Sequence, residues 1–83
     1  MVAEIPFARG YSIFEIEAPG RLVGRSLREL DLRKRYGINV LAIKRDEEVL
    51  VNPSAEDVLA EGDVLLVLGS EESVRKMSEA QVP

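Results

Sequence analysis

Basic side chains are concentrated in residues 21–45, where they could act together on an anionic ligand. This stretch holds eight lysines and arginines, whereas residues 46–72 hold nine acids and no base. The eight are Arg21, Arg25, Arg28, Arg33, Lys34, Arg35, Lys44 and Arg45. Such a local basic face could receive a phosphate; the alternative is a solvated helix face with complementary charges on neighbouring elements. The net charge of −4 argues against non-specific binding to nucleic acid.

The composition excludes most catalytic chemistry. The 83 residues include no histidine, which is the commonest general base and metal ligand, and no cysteine. Acidic pairs at 47–48 and 71–72 carry the hard oxygen ligands that cations prefer, but their positions on a turn and at a helix start are the more ordinary explanation. We therefore predict no catalytic residue, no metal site and no enzyme activity. The absence of cysteine fits a reducing cytoplasm.

Two short helical turns are predicted to position part of the basic stretch. Ser26 and Glu29 have the spacing of a capping box, so a helix should begin there. The apolar spacing then fails, and Asp31 is a good N-cap residue in its own right. The sequence thus predicts helices over 27–30 and 32–36, hinged at Asp31 and ended by Gly37 in a left-handed conformation. The hinge would put Asp31 and Arg33 close to the next strand.

That next strand, predicted over 39–45, is apolar in both of its alternate sets of residues. The predicted sets are Val40 with Ala42 on one side and Leu41 with Ile43 on the other. A strand covered on one face alternates, so this one is expected to be central and covered on both. Asn39, the polar residue at its entrance, either satisfies turn backbone after Gly37 or contacts a ligand.

The remaining pattern predicts a small α/β domain, more narrowly an α+β sandwich. The other predicted elements are a lead-in or linker over 1–10, strands over 11–17, 48–52 and 64–69, a helical turn at 54–57 and a helix over 71–80. We expect a β-α-β-β-β-α order with a mixed sheet and helices on one face. The strands predicted over 39–45 and 64–69 are both apolar on two faces, so the sheet needs a covering layer on each side. Because the chain supplies only one helix layer, we predict a dimer. No run approaches the ~20 apolar residues that cross a bilayer, so no membrane insertion is expected.

Four segments in order resemble the TrkA C-terminal domain, the RCK C-domain of potassium-transport regulators. They are Gly24-Arg-Ser-Leu-Arg-Glu-Leu30, Tyr36-Gly-Ile-Asn-Val-Leu-Ala-Ile-Lys-Arg45, Asn52-Pro-Ser54 and Leu59-Ala-Glu-Gly-Asp-Val-Leu65. The resemblance runs from about Tyr11 to Ala80, so residues 11–83 are taken as the domain. It implies a regulatory, ligand-binding, homodimeric domain that is cytoplasmic and peripheral to a membrane transporter. The implied partners are a Rossmann-type RCK N-domain or a membrane potassium transporter subunit.

The resemblance also implies a site. In some members of the family, the cleft between two copies of the domain receives cyclic di-AMP. The matching positions here are Leu27, Asp31, Arg33, Asn39, Val40 and Ala42. The apolar residues could cover adenine, Asn39 and Asp31 could bond polar groups of the nucleoside, and Arg33 could pair with phosphate. No Gly-x-Gly-x-x-Gly stretch occurs, so NAD or ATP binding does not carry over. The alternative function is a purely structural dimerisation module with no small-molecule ligand.

Overall fold

The fold consists of one five-stranded sheet with helices on one face. A computed structural model describes residues 3–79. Its strands are β1 (Ala3–Ala8), β2 (Tyr11–Glu17), β3 (Asn39–Arg45), β4 (Glu48–Val51) and β5 (Val64–Gly69). Its α-helices are α1 (Leu27–Leu30), α2 (Leu32–Tyr36) and α3 (Glu71–Glu79), and a single 3₁₀ turn covers Gly20–Leu22.

The sheet is antiparallel between all described neighbours, so the expected mixed sheet is wrong. The strand order is β1-β2-β5-β3-β4, and each adjacent pair runs antiparallel. The helical crossover from β2 to β3 leaves these two strands running in the same direction. They do not pair with each other, because β5 inserts between them and is antiparallel to both. The predicted α+β class and the placement of helices on one face are confirmed.

Residues 3–8, expected within a lead-in or linker, form the edge strand β1. It pairs with β2 through a turn at Gly10, whose φ of 82° is in the left-handed region. Every residue of β1 is exposed, including Ile5 and Phe7. Its attachment is supported by a 2.8 Å hydrogen bond from Ser12 Oγ to Glu4 Oε2. Pro6 and Gly10 are typical of a loop, and this explains why the segment was not predicted as a strand although Ile5 and Phe7 alternate with Glu4 and Pro6.

The core lies between the sheet and the helices. From the sheet, Phe14, Leu65 and Ile43 are fully buried, and from α3 Met77 is fully buried against them. Cross-strand partners share a face, so these pairings define the helix-covered side. The opposite face stays half-exposed in the single chain and carries apolar residues. They include Ile13, Leu66, Leu68 and Ala42.

A β-bulge in β3 overturns the predicted alternation of its side chains. Val40 pairs with Val67 and Ala42 pairs with Leu66, so Leu41 is an extra residue between the two rungs. Since Val67 belongs to the core face and Leu66 to the open face, Val40 and Ala42 lie on opposite sides of the sheet. The prediction that these two residues share a face is therefore wrong. A bulge shifts the side-chain period by one residue, and an apolar run gives no sign of it.

The helical turns match the prediction, with one difference at the hinge. The capping box is formed, with Ser26 Oγ accepting from Glu29 N at 3.1 Å and Glu29 Oε1 accepting from Ser26 N at 3.0 Å. Asp31 is the hinge, but its side chain makes no cap hydrogen bond; its backbone instead adopts the left-handed conformation, with φ 47° and ψ 50°. Gly37 ends α2 with φ 70°, as predicted.

Two smaller predictions need correction. The segment 54–57 is a turn, in which Asp57 N donates to Ser54 O at 3.0 Å, and it does not continue as a helix. Strand β4 ends at Val51 because Asn52 turns into the left-handed region with φ 50°. Helix α3 is described as far as Glu79, and the last residue of the predicted helix, 80, lies outside the described residues.

Candidate functional site

A pocket of about 370 Å³ opens beside the start of β3. It is bordered by α1, the α1–α2 hinge, the first residues of β3 and the loop that follows β4. The lining residues are Leu27, Arg28, Asp31, Leu32, Arg33, Ile38, Asn39, Val40, Pro53 and Ala55. The lining therefore combines an apolar surface with two guanidinium groups, one carboxylate and one carboxamide. Sites for small organic ligands commonly have this composition.

The left-handed hinge and the left-handed helix end bring the polar groups together. Asp31 N donates to Leu27 O at 2.9 Å, which closes α1, and α2 starts immediately afterwards. Gly37 N donates to Arg33 O at 2.9 Å, so the chain reverses there and enters β3. These two reversals place Asp31, Arg33 and Asn39 on one pocket although they belong to three different segments.

The opposite wall of the pocket is a loop held against α1 by backbone hydrogen bonds. Leu27 N donates to Asp57 O at 3.0 Å, and Arg28 N donates to Ala55 O at 2.8 Å. An isolated bridge between Ser26 and Val58 continues the same ladder. The first amides of a helix lack intrahelical partners, and here the loop carbonyls supply them. The loop and α1 therefore form a continuous rim.

An ion pair at the far end of β3 fixes the continuation of this loop. Arg45 Nε and Nη2 lie 2.8 Å from the two carboxylate oxygens of Asp63, and Arg45 Nη2 also donates to Val58 O at 2.9 Å. Asp63 is fully buried, and its Oδ2 accepts from Ala60 N at 2.8 Å. The hydrogen bond from Arg45 lowers the pKa of Asp63, despite the opposing effect of desolvation. The anchored carbonyl of Val58 belongs to the segment that bridges to Ser26.

The side chains of the pocket suit an anionic ligand with an apolar part. Arg28 and Arg33 contribute two cationic groups to the lining, against the single carboxylate of Asp31. A guanidinium presents donors in a planar fork that matches phosphate oxygens. The carboxamide of Asn39 can both donate and accept, so it suits the polar edge of a purine. The apolar residues provide the surface on which such a ring would pack.

Five of the six residues singled out from the sequence line this pocket. They are Leu27, Asp31, Arg33, Asn39 and Val40. The sixth, Ala42, lies instead in a shallow depression on the open face of the sheet, beside Glu15 and Lys44. The bulge at Leu41 is the cause, because it separates Ala42 from Val40. The ligand-binding role of all six residues stays a prediction.

Five lining residues were absent from the predicted set: Arg28, Leu32, Ile38, Pro53 and Ala55. Arg28 belonged to the basic stretch, but helical spacing alone did not show which arginines point toward the pocket. Pro53 and Ala55 come from a loop 22 or more residues further along the chain than Asp31, so their proximity depends on the backbone ladder described above. The Asn52-Pro53-Ser54 segment was the one signal available for them in the sequence.

Neither a cluster of metal-ligating side chains nor a membrane-crossing helix is found in the part of the chain that the structure describes. No group of three or more acidic side chains within residues 3–79 is arranged to hold a metal ion. Within the same residues, no helix is long and apolar enough to cross a membrane.

Known proteins are similar to this chain in both sequence and fold. Residues 11–81 match the TrkA-C domain family. Ktr system potassium uptake protein C of Bacillus subtilis is 50% identical over 60 residues, which cover 72% of this chain and 27% of that protein. The K(+)/H(+) antiporter subunit KhtT of B. subtilis is 37% identical over 65 residues, which cover 77% of this chain and 39% of that subunit.

Solved structures give the same result. The RCK C domain of the potassium transport protein KtrA, in complex with cyclic di-AMP, superposes with a TM-score of 0.79 at 35% identity, covering 87% of this chain and 85% of that one. The RCK_C domain dimer of S. agalactiae BusR, also in complex with cyclic di-AMP, gives a TM-score of 0.71 at 25% identity, covering 78% and 83%.

These matches define the chain as an RCK C-type domain. It belongs to the TrkA-C domain family, as the resemblance in its sequence indicated. It spans well under half the length of the two potassium-transport relatives named above.

Proposed function

We propose that this chain is a regulatory domain of a potassium channel or transporter system and binds cyclic di-AMP between two copies of itself. The observation that carries the proposal is the convergence of Leu27, Arg33 and Asn39 on one pocket. Support comes from relatives named as potassium uptake and antiporter proteins, and from two similar domains solved with this dinucleotide. Its cellular place would be the cytoplasm, beside a membrane transporter subunit or an RCK N-domain.

Each group in the pocket has a role in this proposal. Arg33 pairs with a phosphate, while Leu27 and Val40 pack against an adenine ring. Asn39 bonds the polar edge of the base, and Asp31 accepts from an exocyclic amine or a ribose hydroxyl. Since a cyclic dinucleotide carries two phosphates and two bases, two pockets related by a twofold axis would complement it. One molecule would then bridge two chains.

Regulation would follow from this bridging. A ligand shifts an equilibrium between two arrangements of the dimer only as far as its affinities for them differ. Binding across the interface creates such a difference, because the two pockets must lie at the spacing that the ligand sets. The movement would be transmitted through each domain to the transporter that it regulates.

The proposal is tested by calorimetric titration of cyclic di-AMP into the 83-residue chain. We expect saturable binding with one ligand for two chains. Arg33→Ala and Asn39→Ala should each weaken it about tenfold or more, since each removes a polar contact to the ligand. Lys34→Ala is the matched control, because Lys34 is exposed on the same short helix and does not line the pocket.

Two results would count against this function. No heat and no thermal shift at high micromolar ligand would favour the alternative, a structural dimerisation module. Binding that is unchanged in both pocket variants would place the ligand elsewhere and leave the fold assignment intact. The open apolar face of the sheet is the feature that favours the structural alternative.

A further inference from the structure

Arg28 and Glu56 form an ion pair on the rim of the pocket. Arg28 Nη2 lies 2.8 Å from Glu56 Oε2, and Arg28 Nε donates to the same oxygen at 2.9 Å. Arg28 itself lines the pocket, and Glu56 follows Ala55, which also lines it. The pair is therefore adjacent to the space that a ligand would occupy.

The fold does not depend on this pair. The two side chains are 69% and 71% exposed, and exposed pairs contribute little to stability. The backbones that carry them are already joined, since Arg28 N donates to Ala55 O at 2.8 Å and Leu27 N donates to Asp57 O at 3.0 Å. The ion pair can thus exchange partners without opening the rim.

We propose that Arg28 is a specificity-determining residue that Glu56 holds until an anionic ligand displaces the carboxylate. This inference rests on the proposed function, because it concerns the same pocket. A phosphate can replace Glu56, since its oxygens accept the same forked pair of N–H donors. A neutral ligand of the same shape cannot, so Arg28 discriminates charged from uncharged molecules, and Glu56 lowers the affinity for the charged ones by competing for the guanidinium. Arg28 then supplies the second cationic contact beside Arg33.

Substitutions of the two members of the pair should change the affinity for the ligand in opposite directions. Arg28→Gln removes a contact to the ligand, so affinity should fall roughly fivefold or more. Glu56→Gln removes the competing carboxylate, so affinity should rise by about two- to fivefold, the range set by the weakness of an exposed pair. If the carboxylate acts through Arg28, the gain from Glu56→Gln must vanish when Arg28 is already Gln.

The experiment is a double-mutant cycle by titration of cyclic di-AMP into the wild-type chain, both single variants and the double variant. Glu72→Gln is the matched control. Glu72 forms a comparable exposed pair with Lys76 on α3, and its substitution removes the same charge at a position away from the pocket. Adenosine is titrated in parallel as the uncharged probe, and Glu56→Gln should not improve its binding. The affinity of Arg28→Gln for cyclic di-AMP should depend less on salt concentration than that of the wild type, because one ionic contact is lost.

The outcomes separate this inference from the proposed function. If the wild-type chain binds and Arg33→Ala weakens binding, while Arg28→Gln and Glu56→Gln leave it unchanged, only this inference is overturned. A gain from Glu56→Gln that persists in the double variant would show a general effect of charge and would also overturn it. If the wild-type chain shows no binding at all, the proposed function fails and this inference fails with it. A gain in affinity cannot come from misfolding, so Glu56→Gln protects the test against that artefact.

Discussion

Arg45 on β3 and Asp63, the residue before β5, form a bidentate ion pair, with both nitrogen–oxygen distances at 2.8 Å. The carboxylate is fully buried, whereas the arginine side chain is 39% exposed. Arg45 also holds the carbonyl of Val58, and Asp63 accepts from the amide of Ala60. One ion pair therefore fixes two strands and the loop whose earlier residues form a wall of the pocket.

Removing Asp63 should destabilise the fold more than removing any exposed acid. Asp63→Ala removes the carboxylate from Arg45 and leaves the amide of Ala60 without its acceptor. We expect a loss of about 3 kcal/mol in the free energy of unfolding, which is the low end of the range for broken buried pairs because Arg45 is partly exposed. Urea denaturation measures it. Glu79→Ala, which breaks an exposed pair with Arg75, should change stability by no more than about 0.5 kcal/mol. Equal losses in the two variants would contradict this account of the pair.

The same pair predicts loss of stability in acid. The pKa of Asp63 is lowered by its hydrogen bond from Arg45, so the stabilisation is complete above the ordinary aspartate pKa of about 3.9. It is lost as the pH falls below that value and through the lowered pKa of the folded state. Asp63→Asn, which cannot ionise, should be less stable than wild type at pH 7. Urea unfolding from pH 7 to pH 2 should show this difference shrinking, and a constant difference would exclude Asp63 as the cause.

Gly37 should be intolerant of a side chain for a conformational reason alone. Its φ is 70°, and a Cβ added there would meet nothing within 4 Å. Gly37→Ala should therefore cost about 1 kcal/mol through left-handed backbone strain and not through a clash. Gly20 is the control, since it also has open space around a Cβ but lacks a positive φ. Thermal unfolding of both variants gives the comparison, and Gly20→Ala should be neutral or slightly stabilising.

Local signals in the sequence predicted local structure well. The capping box, the hinge at Asp31 and the left-handed Gly37 depend on residues within a few positions of one another, and all three lie where expected. The long-range features were not accessible in this way. Pairing of β5 between β2 and β3 joins residues 20 or more positions apart, and the Leu41 bulge gives no signal in an apolar run.

The candidate site likewise combines residues that the sequence predicted with residues that only the structure shows. The resemblance of the sequence to a family supplied five of the residues that line the pocket, but Arg28 came from the structure alone. Its side-chain direction depends on contact with Glu56, 28 residues further along the chain. The resemblance also supplied Ala42, and alternation predicted that it shares a face with Val40, but the bulge places the two on opposite faces.

Ligand binding should be coupled to association of two chains. In the proposed mode each pocket, with Arg33 and Arg28, takes one phosphate and one base, so both halves of the ligand are bound only when two copies meet. Sedimentation velocity with cyclic di-AMP in excess should show a species of twice the mass of the chain. Arg33→Ala should shift the ligand-dependent part of this association to higher ligand concentration. A compact monomer that binds one ligand per chain would contradict the shared cleft.

The central claim is that the pocket beside β3 is where cyclic di-AMP binds, and amide chemical-shift mapping of the 83-residue chain tests it most directly. On titration, we expect the largest shifts at the backbone amides of Leu27, Arg33 and Asn39, with smaller shifts at Ala55. The amides of Glu72, Arg75 and Lys76, on the exposed side of α3 and outside the pocket lining, serve as the internal reference. Shifts concentrated on α3, or no shifts at ligand excess, would contradict the claim.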